Sequence, residues 1–491
     1  MDTDKKLKGK VLFVYPNCEG YGGIPNGLAL LSGCLKAAGF ETKCFDTTFL
    51  NSPPLTFFYR SKYDGIMEAD NEKAWGKWNP DLPKQIPGLF RKTIEEFKPD
   101  LIAINIVDVT YNFSKELLEG INKQYGIPVV IGGPTPTLSP ELFVNDDCFD
   151  IICVGEGEDA LVELANCIVE KKDYSHIPNL WVKTKLPVFE DGIIKNNVRP
   201  FKNLDELPHQ DWSIFDEKHY YKPYCGEFRR TGFFELARGC PFNCSFCCTA
   251  NLRKLYQGCG SFLRLRSVDK TFDEICEIKD KYDLEMVFFI DDNFLGMPED
   301  RFNHFCEEYK KRINLPFYIQ TRAETVREDY IKKLVDIGIS TIAIGIENGN
   351  EEFRKKIMNR AMSNAVLEKA FGIVHKYKIR TTANLIIGMP HETEEMFYDS
   401  VRLIQKIKPS SYSINYFLPF RGTKMRDIAV ELGYISKDHI ITDSNTSLDM
   451  PQFRKERIIH CYENFKKYIE GEIPLPEPKV EVTSDKQETY L

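Results

Sequence analysis

The chemistry in this chain starts with the three cysteines of RGCPFNCSFCC, residues 238–248. Cys240, Cys244 and Cys247 follow the spacing C-x3-C-x2-C. Three thiolates on one short loop can each take one iron of a [4Fe–4S] cluster, which leaves the fourth iron open to another ligand. Gly239 and Pro241 suit a chain that turns sharply around such a body. A zinc site is the rival reading, with Cys244 and Cys247 as a CxxC pair and Cys240 or Cys259 completing it. A zinc ribbon calls for a second CxxC pair, and the sequence has none. Three buried free cysteines are the plain alternative. Cys248 adjoins the motif but falls outside its spacing.

A cluster loop needs a rigid strand ahead of it, and the pattern supplies a series. Apolar runs at 233–237, 286–290, 317–320, 341–346, 382–387 and 412–417 read as strands. Helical periodicity fills the gaps at 268–281, 301–312, 329–337, 364–377 and 394–407. Six βα units in a row predict a partial (β/α)6 barrel, a fold that carries its chemistry at the carboxyl ends of the strands. Upstream, strands at 10–15, 41–45, 101–107, 129–131 and 151–154 alternate with helices at 27–38, 114–123 and 159–169. That rhythm predicts an α/β domain with a doubly wound parallel sheet. Residues 51–87 interrupt it with aromatics and prolines and read as an insertion, a lid or a domain contact. The expected organisation is a first domain over 1–170, a linker with a hairpin over 171–230, the barrel over 231–420, and a helical C-terminal region over 421–491 ending in a frayed polar tail.

With Phe246 just before its third cysteine, the loop resembles the radical S-adenosylmethionine (SAM) superfamily. The resemblance implies that SAM chelates the open iron and is reductively cleaved to methionine and a 5′-deoxyadenosyl radical, which takes a hydrogen from substrate. It also implies SAM contacts at the barrel strand ends. FFIDDNF offers Asp292 for the SAM ammonium, with Asp291 or Asn293 as alternatives, and any of the three would equally cap a helix. QTRAE offers Arg322 for the carboxylate or for a surface ion pair. GIENG offers Glu347 for the ribose, because a carboxylate ending a buried strand needs a partner. LIIGMPHET offers Gly388, which permits close backbone approach to an adenine. Phe246 completes this set, and no catalytic side chain is named.

Open α/β sheets bind ligands where the strand order reverses, at the carboxyl ends. The loops there are PNCEGYGGIPNG, VDVTYNF, GGPTPTLSPE and GEGED. No GxGxxG follows the first strand, so this is not a dinucleotide fingerprint. The pattern resembles the cobalamin-binding domain that precedes a radical SAM barrel in one large enzyme class, and the likeness runs over about residues 10–420. It implies cobalamin contacts at Asn17, Gly20, Gly132, Gly133, Thr135, Gly155 and Glu156. The DxHxxG motif of many cobalamin domains is absent, and residues 1–175 contain no histidine. Cobalt would then have no imidazole beneath it from this domain.

These readings imply a cobalamin-dependent radical SAM enzyme that C-methylates an unactivated carbon. A radical SAM cyclase or rearrangement enzyme on a natural-product or tetrapyrrole-like substrate is the alternative, and a non-catalytic metal scaffold the third. The expected partners are a small-molecule or peptide substrate and an external electron donor such as flavodoxin or ferredoxin. The 491 residues carry a net charge of −8, which counts against broad binding of nucleic acid. No apolar run reaches the roughly 18 residues of a membrane span. The Lys-rich start has no apolar core of a secretory signal, and fifteen cysteines without a disulfide pattern suit a reducing, cytoplasmic setting.

Overall fold

The computed structural model describes residues 7–18, 23–51, 78–184, 192–442, 445–446 and 448–477. Two seven-stranded sheets organise the chain. In the first, β1 (Lys10–Tyr15), β2 (Glu41–Asp46), β3 (Leu101–Asn105), β4 (Val129–Gly132) and β5 (Ile151–Cys153) run parallel in the order β2-β1-β3-β4-β5. The order reverses at β1, so the crevice between β1 and β3 is the topological switch point. Leu12, Val14, Ile102, Ile104, Val129 and Ile131 are buried on one face, where Phe90, Ile94 and Phe97 of the helix Leu82–Phe97 cover them. Leu28, Ala29, Leu161 and Leu164 cover the other face from the helices Asn26–Ala37 and Glu158–Val169.

Three expectations change here. The hairpin β6 (Leu180–Lys183) and β7 (Ile193–Lys195) adds antiparallel to β5. A domain boundary at 170 therefore cuts through a continuous sheet. The helix Leu82–Phe97 occupies ground read as insertion, because Pro83 sits in its first turn and only Pro87 interrupts it. The segment 114–123 is two helices, Tyr111–Leu118 and Ile121–Tyr125, divided at Gly120, whose φ is +72°. Residues 52–77 of the expected insertion and the tail from 478 lie outside the described residues.

The second sheet is an open barrel. β9 (Glu227–Phe234), β12 (Met286–Phe289), β13 (Phe317–Thr321), β14 (Ile339–Glu347), β15 (Arg380–Ile387) and β16 (Ser411–Tyr416) are parallel neighbours in that order. β8 (Tyr221–Tyr224) pairs antiparallel to β9 at the edge. The first strand thus starts earlier than its apolar run and ends at Phe234. Phe234, Phe289 and Phe317 point outward into a core with Phe272, Phe305 and Tyr309 of the helices Val268–Tyr282 and Glu299–Arg312. The opposite, inner face carries a stack of Phe233, Phe288 and Tyr318, with centroids 5.2 and 4.2 Å apart.

The segment between the sheets is a fitted strap. Gly33 leaves no room for a Cβ beside the His209 carbonyl. Ser32 Oγ donates to Asp211 at 2.6 Å, and the Asp211 N–H donates to the Ala29 carbonyl at 2.9 Å. On the barrel side, the Gln210 N–H donates to Glu274 at 2.6 Å. Trp212 is 1% exposed and packs against Tyr220, Phe234 and Tyr282.

Candidate active site

The cluster loop has a defined neck. Beyond β9, the short strands β10 (Ala237–Arg238) and β11 (Arg264–Leu265) pair antiparallel, and residues 239–263 emerge between them. Gly239, at φ +89°, leaves no space for a Cβ beside the Phe262 carbonyl, so only glycine closes this neck. Arg253 donates to the Cys240 carbonyl at 2.6 Å, and Ser245 Oγ donates to the Ile357 carbonyl at 2.7 Å. Cys240, Cys244 and Cys247 share this loop, and Cys240 feels the charge of both others.

The donor set suits thiolates. The Cys248 thiol and the Thr249 hydroxyl, the latter at 3.1 Å, hydrogen-bond to Cys247 and hold its pKa below the usual thiol range. Burial pushes Cys240 up. Arg322 Nη1 lies 3.4 Å and Arg360 Nη1 3.9 Å from Cys244 Sγ, and both arginines are buried. A guanidinium stays charged, so two fixed cations face one sulfur. Among the described residues, no three His, Cys, Asp or Glu are grouped to hold a single metal ion. The thiolates of a [4Fe–4S] cluster each take a separate iron. Phe246 packs against the barrel core.

The strand-end residues divide by role. Asp291 is buried, accepts from the Leu236 N–H at 3.1 Å and is pushed up to about 7 by burial. It ties the end of β12 to the approach of the cluster loop. Asn293 Oδ1 accepts from Thr321, Thr325 and the Arg322 N–H, so it is a structural hub. Asp292 alone is left exposed at the mouth, its carboxyl raised by loss of water and by Glu235, and its charge reaches Cys240 and Cys247. Arg322 pairs with Glu324 at 2.6 Å and lies over the Phe242 ring at 3.7 Å. Glu347 ends β14 at a register shift with φ +69°, 3.7 Å from Arg360, and burial raises its pKa.

Gly388, offered for the close approach of an adenine, is met on one side by the chain itself. Its open side faces Ile458 and Thr446 at 3.2 and 3.4 Å, and its N–H donates to Glu392 at 2.6 Å. The close approach that the missing side chain permits is made by the C-terminal region. Two residues escaped sequence reading. Arg360 lies in a loop after the helix Glu351–Lys356, distant in sequence from the strand end it meets, where no pattern marks it. Glu392 is 1% exposed and also accepts from the Met389 N–H and from Asn348 at 2.7 Å. Its only sequence signal is a carboxylate four residues past a strand-end glycine.

A cavity of about 500 Å³ opens at the carboxyl edge of the first sheet. Phe13, Ala103, Val130 and Gly132 supply its sheet wall, Leu204 and Gln210 its strap wall, and Glu235 and Arg238 its barrel wall. Gly132, Gly133, Gly155 and Glu156 line it as expected for a large ligand, and no histidine does. Asn17 instead donates to Thr48 at 3.2 Å, and Thr135 donates to the buried Asp108 at 2.6 Å. Neither lines the cavity. Gly20 lies outside the described residues. Glu156 lines the cavity, but its carboxylate is engaged by Arg238 and Arg264 of the barrel. The glycines, the apolar wall and the absence of an imidazole from the lining fit a cobalamin without a histidine beneath cobalt.

The model of the Radical SAM superfamily matches residues 234–404, and that of the B12 binding domain matches residues 85–165. An uncharacterized methyltransferase of Pyrococcus horikoshii, PH0819, is 24% identical over 350 residues, 69% of this chain and 71% of that one. The anaerobic magnesium-protoporphyrin IX monomethyl ester cyclase of Cereibacter sphaeroides is 25% identical over 454 residues, 88% of this chain and 66% of that one. The solved structure of the radical SAM methyltransferase TsrM from Kitasatospora setae, with cobalamin and a [4Fe–4S] cluster bound, covers 89% of this chain and 78% of its own. Its TM-score is 0.63 at 18% identity.

Proposed function

We infer, from a chain that belongs with the radical SAM enzymes carrying a B12-binding domain, that it methylates an unactivated carbon of a small-molecule or peptide substrate. The observation that carries this reading is the shared wall. The cavity at the first sheet is bounded by Glu235 and Arg238, and Arg238 stands two residues before Cys240. One cofactor site therefore borders the other. When bound, the cluster and SAM supply a carbon-centred radical generator and cobalamin supplies a methyl carrier, which together suit a carbon with no lone pair to attack with.

The chain's own residues do the positioning. Cys240, Cys244 and Cys247 hold the cluster, and Arg322 and Arg360 neutralise the Cys244 thiolate. Asp292 receives the SAM ammonium at the mouth. Glu347 accepts from the ribose hydroxyls, with Arg360 keeping its carboxylate charged. The reducing electron comes from an external flavodoxin- or ferredoxin-type donor. Among the described residues, no helix is long and apolar enough to cross a membrane, and the free thiols fit a cytoplasmic enzyme.

The cyclase relative, matched over most of the chain, keeps one second reading: radical cyclisation or rearrangement without methyl transfer. Methyl-labelled SAM decides between them. Methylation predicts label in product, with about one S-adenosylhomocysteine and one 5′-deoxyadenosine per turnover. Product without label means cyclisation or rearrangement.

A further inference from the structure

Arg238 and Arg264 stand directly opposite each other across the β10–β11 pair. Like charges facing across a two-stranded ladder repel, and this ladder is only two residues long. The ladder is also the neck through which residues 239–263, with every cluster cysteine, leave the barrel. The barrel's own Glu235 takes Arg238 at 2.7 Å, and the carboxylate shared by both guanidiniums comes from the other domain. Glu156, in the loop after β5, accepts from Arg238 Nη1 at 3.3 Å and from Arg264 Nη1 at 3.1 Å. Glu158 takes Arg238 as well, at 2.6 Å. The Glu156 N–H donates to the Tyr256 hydroxyl at 2.6 Å, and Tyr256 closes the helix Thr249–Leu255 that begins immediately after Cys248. Gly155 leaves no room for a Cβ beside that hydroxyl.

We propose that Glu156 is a positioning residue that staples the neck of the cluster loop from the cobalamin-binding domain, so that the contents of the cavity set the order of the cluster loop. Glu156 is at once part of the cavity wall and the counter-charge of the neck. A ligand that orders the loop 155–158 holds Arg238 and Arg264 together. An empty cavity frees that loop, and the arginines part. The cobalamin arm of this inference rests on the function proposed above, whereas the stapling arm rests on the ion pairs alone.

Two measurements test it. In the cofactor-free chain, amide hydrogen exchange of residues 239–263 should be several-fold faster in Glu156→Gln than in the unaltered protein. Glu156→Asp, which keeps the charge, should stay near the unaltered rate. Adding Arg264→Gln to Glu156→Gln removes the repulsion and should return exchange toward it. In the reconstituted enzyme, cobalamin should slow extraction of cluster iron by a chelator. Glu156→Gln should abolish that slowing even at cobalamin concentrations that saturate the variant, read from its visible absorbance. Equal exchange in the unaltered protein and a folded Glu156→Gln overturns the staple. Iron loss that ignores cobalamin in the unaltered enzyme overturns the coupling. An unaltered chain that binds no cobalamin overturns the functional reading and the coupling, and leaves the exchange result to judge the staple.

Discussion

Glu347 is the side chain on which the proposed ribose contact turns. It sits at a positive φ, which a non-glycine residue adopts only at a cost. Arg360, itself held by the Gly345 carbonyl at 2.6 Å, stands beside it. This partly buried carboxylate, with Arg360 and Arg322 acting on it, is the proposed acceptor for the ribose hydroxyls. Glu347→Gln should leave the cluster assembled and weaken SAM binding by about ten- to a hundredfold, the worth of a hydrogen bond to a charged group, ~1.5–3 kcal/mol. Isothermal titration with SAM on reconstituted protein checks it, and unchanged affinity reassigns Glu347 to its pair with Arg360. The cysteines and the strand-end residues were legible because the sequence places them in one loop and after apolar runs. Arg322 was read as meeting a ligand's carboxylate or an ion-pair partner, and its guanidinium lies against Cys244 and Glu324. Sequence order does not show which sulfur a distant arginine meets.

At the scale of elements, the turn after β15 is organised around Glu392. This carboxyl accepts from two backbone N–H groups and from Asn348, so it fixes the ends of β14 and β15 to each other. Burial pushes it up to about 7 from 4.5. A carboxyl whose folded pKa is raised binds more protons folded than unfolded, so stability falls as pH rises through the window from 4.5 to about 7. The unaltered protein should therefore lose melting temperature between pH 5 and pH 7.5 through this group, and Glu392→Gln should flatten that part of the profile. Thermal unfolding at several pH values measures both. Five of the six parallel barrel strands were readable from their apolar runs, because each is buried on at least one face and bounded by helical periodicity, whereas the run at 233–237 meets only the last two residues of β9. The hairpin β6–β7 was readable as a hairpin but not as part of the first sheet. Its pairing to β5 is set by tertiary packing that no local pattern encodes. The edge strand β8 was missed because its residues, Tyr221–Tyr224, follow a turn-rich stretch without an apolar run of their own.

At the scale of the molecule, the two sheets turn their carboxyl ends to one region, and no histidine lines the cavity there. The first three histidines of the chain are accounted for elsewhere: His176 is exposed beside Asp173 at 3.8 Å, His209 pairs with Glu277 at 2.6 Å, and His219 is buried against Asp46. Bound cobalamin should therefore be base-off and His-off. The electron paramagnetic resonance spectrum of its Co(II) form should lack nitrogen superhyperfine splitting from a lower axial ligand. Such splitting would place an imidazole or the nucleotide base on cobalt and rule this arrangement out.

The strap through Gln210 and Asp211 has a kinetic consequence. Leu204, Leu207 and Gln210 form a wall of the cavity, and the same short stretch is bolted to the first helix by Ser32 and Ala29 and to the barrel by Glu274. Lifting this wall breaks several hydrogen bonds together, so it opens less often than a free loop would. Loosening one bolt, as in Ser32→Ala, should then speed the escape of a guest from the cavity, read as faster decay of its bound absorbance on dilution.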